Sequence, residues 1–538
     1  MSQTTANPVT LISATTAIEA ESANGAPEPS SASAGRQPNA IRKQIRGSSL
    51  LLSGRLLSVG INFAAQILMV RYLTTSDFGA LGYALSVVAL FQTFSMLQFQ
   101  EVIYRYVPIY HEQRDYARLL GTLALTLGTV AATSAIVLTL FFAWPSLLLR
   151  YMSHERLPIQ LLAIMIFLVP VQALDAVLMA LFAAFASSKA IFFRRHLLAP
   201  GLIFCAVLAL VLSHSTVTFL AYGYLAANIV GVVAYCWMLR GALRARGLLG
   251  QLRAHRMVIP FKEIAGYSLP LLTASLVSMT MGSAGVFLLG YFHSTSEVAS
   301  FRAALPVAQL NNIVFMTFGM LYTPLAARFY AKNDYPAINS LYWRTAVWMA
   351  VLTFPVFALT FSIARPLVVF MYGTRYSQSG IILALLSFGY YFNVALGFNG
   401  STIKVLGKLR YTVIINVVAA IVNIAGSLLL IPRYGALGAA IAAAGAMVVH
   451  NLLKQAGLRL ASGLRIFDRQ YLSFYLLIAS SALGLFIVQQ IISSNIFVAV
   501  PLAALVSILV LAVARRKLDV ANTFPELLKI PGMRLIFG

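Results

Sequence analysis

The chain is dominated by apolar runs, each close to the ~20 residues that a helix needs to cross ~30 Å of hydrocarbon. Polar clusters and Gly/Pro breaks separate the runs. Divided on that length and on those breaks, the sequence predicts fourteen membrane-spanning helices. They lie at roughly 48–70, 80–103, 118–143, 159–183, 197–213, 217–239, 268–291, 298–324, 343–364, 380–403, 411–431, 436–457, 472–491 and 496–514. The expected fold class is an all-α polytopic membrane protein. Composition agrees: of 538 residues, 60% are hydrophobic and 10% charged, with a mean hydropathy of +0.83, which does not describe a soluble protein.

Charge needs separate treatment. Lys and Arg number 39 against 15 Asp and Glu, a formal +24, an excess that in principle suits nucleic acid or anionic lipid. Its placement decides. Arg36, Arg42, Lys43 and Arg46 precede the first apolar run and set the N-terminus on the cytoplasmic side by the positive-inside rule. Fourteen spans then leave 31 basic residues inside and 7 outside, with Arg55 within the first helix. The excess is mainly topology, so no nucleic-acid partner is expected and both termini are expected in the cytoplasm. Residues 1–45 predict a disordered, uncleaved tail, since no basic n-region precedes an apolar h-region. Cys205 and Cys236 sit inside apolar runs and the His residues are scattered. No disulfide framework, metal site, redox pair or cofactor is expected.

The chain also aligns with itself. At an offset of 219, Gly47 meets Gly266, Asp115-Tyr116 meets Asp334-Tyr335, and Lys189 meets Lys408; at 220, Thr75-Ser76-Asp77 meets Thr295-Ser296-Glu297. The unit contains six helices, an even number, so both copies enter from the same side. This predicts two parallel six-helix bundles related by a pseudo-two-fold axis, with two C-terminal helices added. The expected units are a tail over 1–45, bundles over 46–246 and 267–460 joined by a linker at 247–266, helices 13 and 14 over 470–515, and a cytoplasmic tail over 516–538. Parallel repeats about an axis along the membrane normal usually hold a substrate path between them and work by alternating access.

Several short motifs then occur in order. They are Arg71-Tyr72-Leu73 followed by Ser76-Asp77-Phe78-Gly79, Gln100-Glu101-Val102-Ile103-Tyr104-Arg105-Tyr106-Val107-Pro108, Tyr267-Ser268-Leu269-Pro270, Gly407-Lys408, and Ile431-Pro432-Arg433-Tyr434-Gly435-Ala436-Leu437-Gly438. On these, over roughly 45–515, the chain resembles the Wzx-type polysaccharide-flippase branch of the multidrug/oligosaccharidyl-lipid/polysaccharide (MOP) exporter superfamily. The resemblance implies export of lipid-linked glycans across a bacterial inner membrane through a cationic cavity. A lipid-linked oligosaccharide and membrane lipids are then the expected partners, a glycan polymerase and export machinery are candidate partners, and the protein is expected to be monomeric.

Residues inside or bordering the membrane supply the site candidates. Arg55 lies ~10 Å into helix 1, where an Arg is costly unless it snorkels, pairs or faces a wet cavity. Guanidinium suits the pyrophosphate of a polyprenyl carrier. Asp175, at a comparable depth in helix 4, either pairs with a cation such as Arg55 or carries a coupling proton. Glu101 and Arg105, four apart on one helical face, are inner-gate candidates or a plain surface ion pair. Arg302, near the outer end of helix 8, is placed either to receive the phosphate or to snorkel to headgroups. Gln92, Asn311, Asn312 and Tyr391 are cavity candidates, with Gln98, Gln309, Asn393, Asn399 and Tyr390 nearby. Their amides and rings suit sugars, and they equally suit helix-to-helix contacts. Pro170, Pro270, Pro306 and Pro355 are candidate bends.

No large extramembrane loop gathers acids or His, and no Walker, HExxH, CxxC or GxSxG motif occurs in a credible setting. The chain therefore reads as a transporter and not an enzyme. The alternative reading is a cation-coupled drug antiporter of the MATE branch, which shares two six-helix bundles. Cationic drugs call for carboxylates, and Asp175 is the residue that favours this alternative.

Overall fold

The computed structural model describes residues 36–143, 155–185, 188–245, 257–462, 469–492 and 495–518. Of the expected tails and linker, 1–35, 247–256 and 519–538 lie outside the described residues. Within the first repeat run α1 (Arg36–Tyr72), α2 (Thr75–Met96), α3 (Phe99–Glu112), α4 (Tyr116–Ala143), α5 (Arg156–Met165), α6 (Leu168–Ala184), α7 (188–212) and α8 (Val217–Ala245). The second holds α9 (Phe261–Phe292), α10 (Thr295–Gln309), α11 (Asn312–Ala331), α12 (Tyr335–Ser362), α13 (Ala364–Tyr372), α14 (Ser379–Ala395) and α15 (Asn399–Val405). After it come α16 (409–434), α17 (436–462), α18 (Leu472–Ile492) and α19 (Ile496–Leu518). The described residues include no strand.

Among the described residues ten helices are long and apolar enough to cross a membrane, twelve when each bent pair is one span. One of the ten, Arg410–Leu460, has 51 residues, ~75 Å if straight, far more than a bilayer. It breaks at Gly435, whose φ of 54° and ψ of −131° suit only glycine. The two arms then fold back together: a methyl on Gly426 would lie 3.3 Å from Ala442 Cβ, and His450 Nε2 lies 2.9 Å from Asn416 Oδ1. Dividing this hairpin and counting the 32-residue α9 gives the fourteen crossings that the apolar runs predict.

Several crossings are broken, for identifiable reasons. Leu97 and Gln98, with φ of 41° and 62°, separate α2 from α3. Pro170 cannot donate to the Ile166 carbonyl, so Val169 N takes it at 3.0 Å, and α5 meets α6 at 43°. Pro306 precedes the break between α10 and α11. After Pro355 the helix widens into a π segment at Ala358–Ser362. Around Pro270 the backbone of α9 stays helical.

The repeat is visible atom by atom. Arg114 (φ 57°) and Asn333 (φ 54°) are both left-handed. Each is followed by an Asp that caps the next helix: Asp115 Oδ1 accepts from Arg118 N, and Asp334 Oδ1 from Ala337 N, both at 3.0 Å. The halves meet where α2 crosses its counterpart α10. Ser76 Oγ lies 2.9 Å from Thr295 Oγ1, and Thr75 Oγ1 lies 3.5 Å from Ser296 Oγ. This exchanged pairing is the signature of a two-fold contact. Further along, Gly79 faces Ala299 and Gly82 faces Arg302, each opposite its own counterpart. A side chain at Gly79 would overlap the Thr295 carbonyl. Behind this crossing Tyr83 stacks on Phe287, with ring centres 6.2 Å apart. The last two helices pack on the second half, where Ser362 Oγ donates to Ala482 O at 3.0 Å and Tyr475 Oη to Ala395 O at 2.8 Å.

Substituting Gly79→Val should therefore separate α2 from α10. Overpacking at a tight contact costs ~1–3 kcal/mol. The expected result is a lower thermal midpoint in detergent, with Gly60→Val, where nothing lies within 4 Å, as the neutral control.

Candidate functional site

A cavity lies between α1 of the first half and α10–α11 of the second. It has two adjoining chambers, of 430 Å³ and 340 Å³, which share Asn62, Gln66, Pro306 and Gln309 as lining. Helical spacing explains the wall from α1. Arg55, Val59, Asn62 and Gln66 follow at intervals of four, three and four, so they form one stripe. Arg55 to Gln66 spans ~16 Å along the axis. On the opposite wall Asn312 and Met316 lie beside the inner chamber, Arg302 beside the outer one, and Gln309 belongs to both.

Both cations of the cavity sit on neutral neighbours. Arg55 reaches the Met316 thioether across the inner mouth. Its helix is seated there by Ser58 Oγ, 3.2 Å from His196 Nδ1, and by Gly54, which leaves room for Phe192. Arg302 donates to Ser86 Oγ at 3.2 Å, and Gly82 leaves space for its stem. Among the described residues no Asp or Glu lines either chamber. Among the described residues the ion pairs are Arg118–Asp115 and Arg194–Asp175. Between the arginines the polar groups are amides. Gln66 Nε2 donates to Tyr372 Oη and Ala303 O across the halves, and Gln309 Nε2 donates to Tyr390 Oη at 3.3 Å.

On the outer side the halves are held shut. Arg71 Nε and Nη2 donate to Met371 O at 2.7 Å and Phe370 O at 2.6 Å. In return Arg375 donates to Val70 O, and to Arg71 O at 2.8 Å. Each guanidinium thus satisfies carbonyls left over at the end of the other half's helix, where the helix dipole favours a cation. Glu155 accepts from Thr295 N at 3.0 Å and from Thr295 Oγ1 at 2.8 Å, capping α10 from the first half. Glu297 accepts from Ala436 N at 2.7 Å.

The other candidates distribute unevenly. Asn312 joins Arg55 and Arg302 along the cavity. Asn311, one residue away, does not: it is fully buried and donates to Thr360 Oγ1 at 3.0 Å. Tyr391 is buried as well, donating to Ala350 O and stacked on Phe357 at 4.0 Å. Gln92 is not among the lining residues of either chamber. Asp175 meets Arg194, not Arg55: the pair is 2.7 Å apart, with the Arg194 side chain 3% exposed. It is a contact between α6 and α7, so the partner is Arg194 where depth alone pointed to Arg55. Glu101 and Arg105 make no ion pair. Arg105 lies 4.5 Å from the ring centre of Tyr267, and nearby Tyr110 Oη donates to Glu263 Oε2 at 3.1 Å, so α3 docks on α9 through aromatic and hydroxyl contacts. Asn393, Asn399 and Asn451 form a hydrogen-bonded group inside the second half. Sequence reasoning missed Asn62 and Gln66, although the stripe running from Arg55 was a usable signal.

An all-α membrane protein of two related halves around a cavity sealed on one side has the architecture of an alternating-access transporter. The match of residues 68–381 to the family model described as polysaccharide biosynthesis protein places the chain in that family. An uncharacterized membrane protein of Methanocaldococcus jannaschii is 20% identical over 413 residues, 74% of this chain and 80% of that protein. Among solved structures, the lipid II flippase MurJ in an inward closed conformation matches with a TM-score of 0.68 at 14% identity, covering 87% of this chain and 99% of that one. An inward-facing multidrug resistance MATE transporter of the MOP superfamily matches with a TM-score of 0.61 at 13% identity, covering 76% and 95%. The fold is that of the MOP transporters.

Two variants probe the surroundings of the cavity. Asp175→Asn leaves Arg194 buried without its counter-charge and should cost about 3 kcal/mol, read as a fall in thermal midpoint. Pairing it with Arg194→Met should recover part of the loss. Arg375→Ala should loosen the outer seal. A cysteine placed at Gln309 should then react faster with a membrane-impermeant maleimide added from the outer side.

Proposed function

We propose that the protein is a flippase that carries a polyprenyl-pyrophosphate-linked oligosaccharide, an O-antigen, capsule or exopolysaccharide repeat unit, from the cytoplasmic to the periplasmic face of a bacterial inner membrane by alternating access. The observation that supports this most is a cavity with an arginine at either end, amides between and no acid among its described lining residues. Arginine offers fixed donors that match phosphate oxygens. Asn62, Gln66, Gln309 and Asn312 offer donors and acceptors of the kind that sugar hydroxyls exchange. A diphosphate and its sugars cannot cross hydrocarbon unaided, because each polar group left without partners costs kcal/mol to desolvate. Membership of a polysaccharide biosynthesis family agrees with a glycan cargo. On this reading the chain moves its cargo and makes no covalent change to it, and the arginine-rich side, with both termini by the positive-inside rule, is cytoplasmic.

The MATE-type antiporter is the weaker reading. A cationic drug would meet two arginines and no lining carboxylate, and Asp175 is already occupied by Arg194.

The two separate in proteoliposomes. Translocation of a polyprenyl-pyrophosphate oligosaccharide is expected, without accumulation of a cationic dye under a proton gradient. Arg55→Ala should slow glycolipid movement at least tenfold, on the order of one charged hydrogen-bonded contact, while Arg55→Lys should restore only part of it. Dye movement without glycolipid movement would sink the proposal.

A further inference from the structure

We propose that the protein carries a binding site for an anionic phospholipid on its outer surface, in the leaflet on the arginine-rich side, separate from the transport cavity. An open groove of 730 Å³ lies where the ends of α6, α7 and α8 come together. Buried Phe182 and exposed Phe193 and Trp237 line it, together with Arg240 and Arg244. The two arginines are four apart and so share one face of α8. Between them Gly241 has no neighbour among the described residues within 4 Å of where a Cβ would stand. Among the described residues no acid lines the groove, and the ion pairs leave both arginines out.

The chemistry selects the occupant. Trp237 is 77% exposed, about one turn from Arg240, which is the arrangement of an interfacial aromatic beside cationic groups. An acyl chain laid over Phe193 and Trp237 brings its phosphate between the guanidiniums. A zwitterionic lipid offers the same chain and phosphate but adds a cation that the arginines repel. An anionic headgroup adds none, and each basic side chain near such a surface contributes about a fivefold gain in association.

The groove also touches the transport machinery from behind. Phe193 belongs to the π segment Phe192–Leu198 of α7. The same segment supplies Phe192 and His196, which pack on Gly54 and Ser58 of α1, within one turn of Arg55. A lipid seated in the groove therefore braces the segment that positions the cavity mouth.

The test reads binding and needs no transport. The protein has four tryptophans, Trp144, Trp237, Trp343 and Trp348. Trp343 and Trp348 are 0% and 1% exposed, and Trp144→Phe removes the remaining background. This variant is reconstituted in vesicles of phosphatidylcholine with increasing fractions of brominated phosphatidylglycerol, or of brominated phosphatidylcholine as the reference. Quenching should favour the anionic lipid several-fold. Arg240→Gln with Arg244→Gln should bring the relative association constant near one, and Arg240→Lys with Arg244→Lys should keep most of the preference. Equal quenching by the two lipids, or a preference untouched by the glutamine pair, would overturn the proposal. Because no substrate is present, the outcome is independent of the flippase reading.

Discussion

Everything in this molecule depends on one helix crossing, that of α2 over α10. A contact on a two-fold axis forces each residue toward its own counterpart, so a bulky residue retained in both copies would collide with itself. The chain solves this by divergence. Gly79 faces Ala299, and Gly82 faces Arg302. At the first position the missing side chain lets the helices meet, and at the second it lets a guanidinium lie across the contact. An Arg at membrane depth is costly without partners. Here the stem lies along glycine and the head reaches Ser86 and the outer chamber. The crossing therefore brings the halves together and places the upper cation of the cavity in the same step.

The contacts around that crossing determine which side is closed. The outer ends are joined by hydroxyls, by Glu155 on the α10 cap, and by the reciprocal arginines Arg71 and Arg375 on leftover helix carbonyls. All of these are polar groups whose partners water can replace, so opening this seal exchanges protein bonds for hydration at modest net cost. At the inner end α3 docks on α9 through Tyr267, Tyr110 and Glu263. Between α1 and α11 the contact across the mouth is Arg55 on a Met316 thioether. The weak point of the inner surface is thus the edge where the cavity opens.

The helix count and the repeat were legible in the sequence because both rest on properties summed over many residues. Twenty apolar positions or a shared offset survive local noise. Asp115 and Asp334 show how well this held, since matched letters became matched caps with the same bond lengths. Which way a single polar side chain points was another matter. Asn311 and Asn312 are adjacent, yet one is sealed against Thr360 and the other lines the cavity. The break between α10 and α11 falls beside them and resets the helical phase, so no periodicity carried from either side could separate the two. The partner of Asp175 was hidden for a related reason. Depth along a helix indicated Arg55 as a possible partner, whereas the distance that matters runs sideways to Arg194 on α7. Asn62 and Gln66 were recoverable, since they share a face with Arg55 in an unbroken helix.

The placement of the two free guanidiniums bears on how such a cavity would work. Arg55 belongs to the first half and Arg302 to the second, and each is bonded to a neutral atom of the opposite half. A rocking motion that opens the outer seal must break the Arg302–Ser86 bond, because Ser86 stays with the first half. A motion that closes the inner mouth brings α1 and α11 together around Arg55. The outer cation is then released from its protein partner as the inner one is crowded by a wall of apolar and amide groups. An anion held between them would gain a donor at one end as it lost solvation at the other. That is the differential affinity a ligand needs to bias two conformations. A cation in the same cavity would face the opposite gradient. On the proposed reading, therefore, the sign of the charge at the two ends of the cavity both recognises the head of the substrate and couples its binding to the change of conformation.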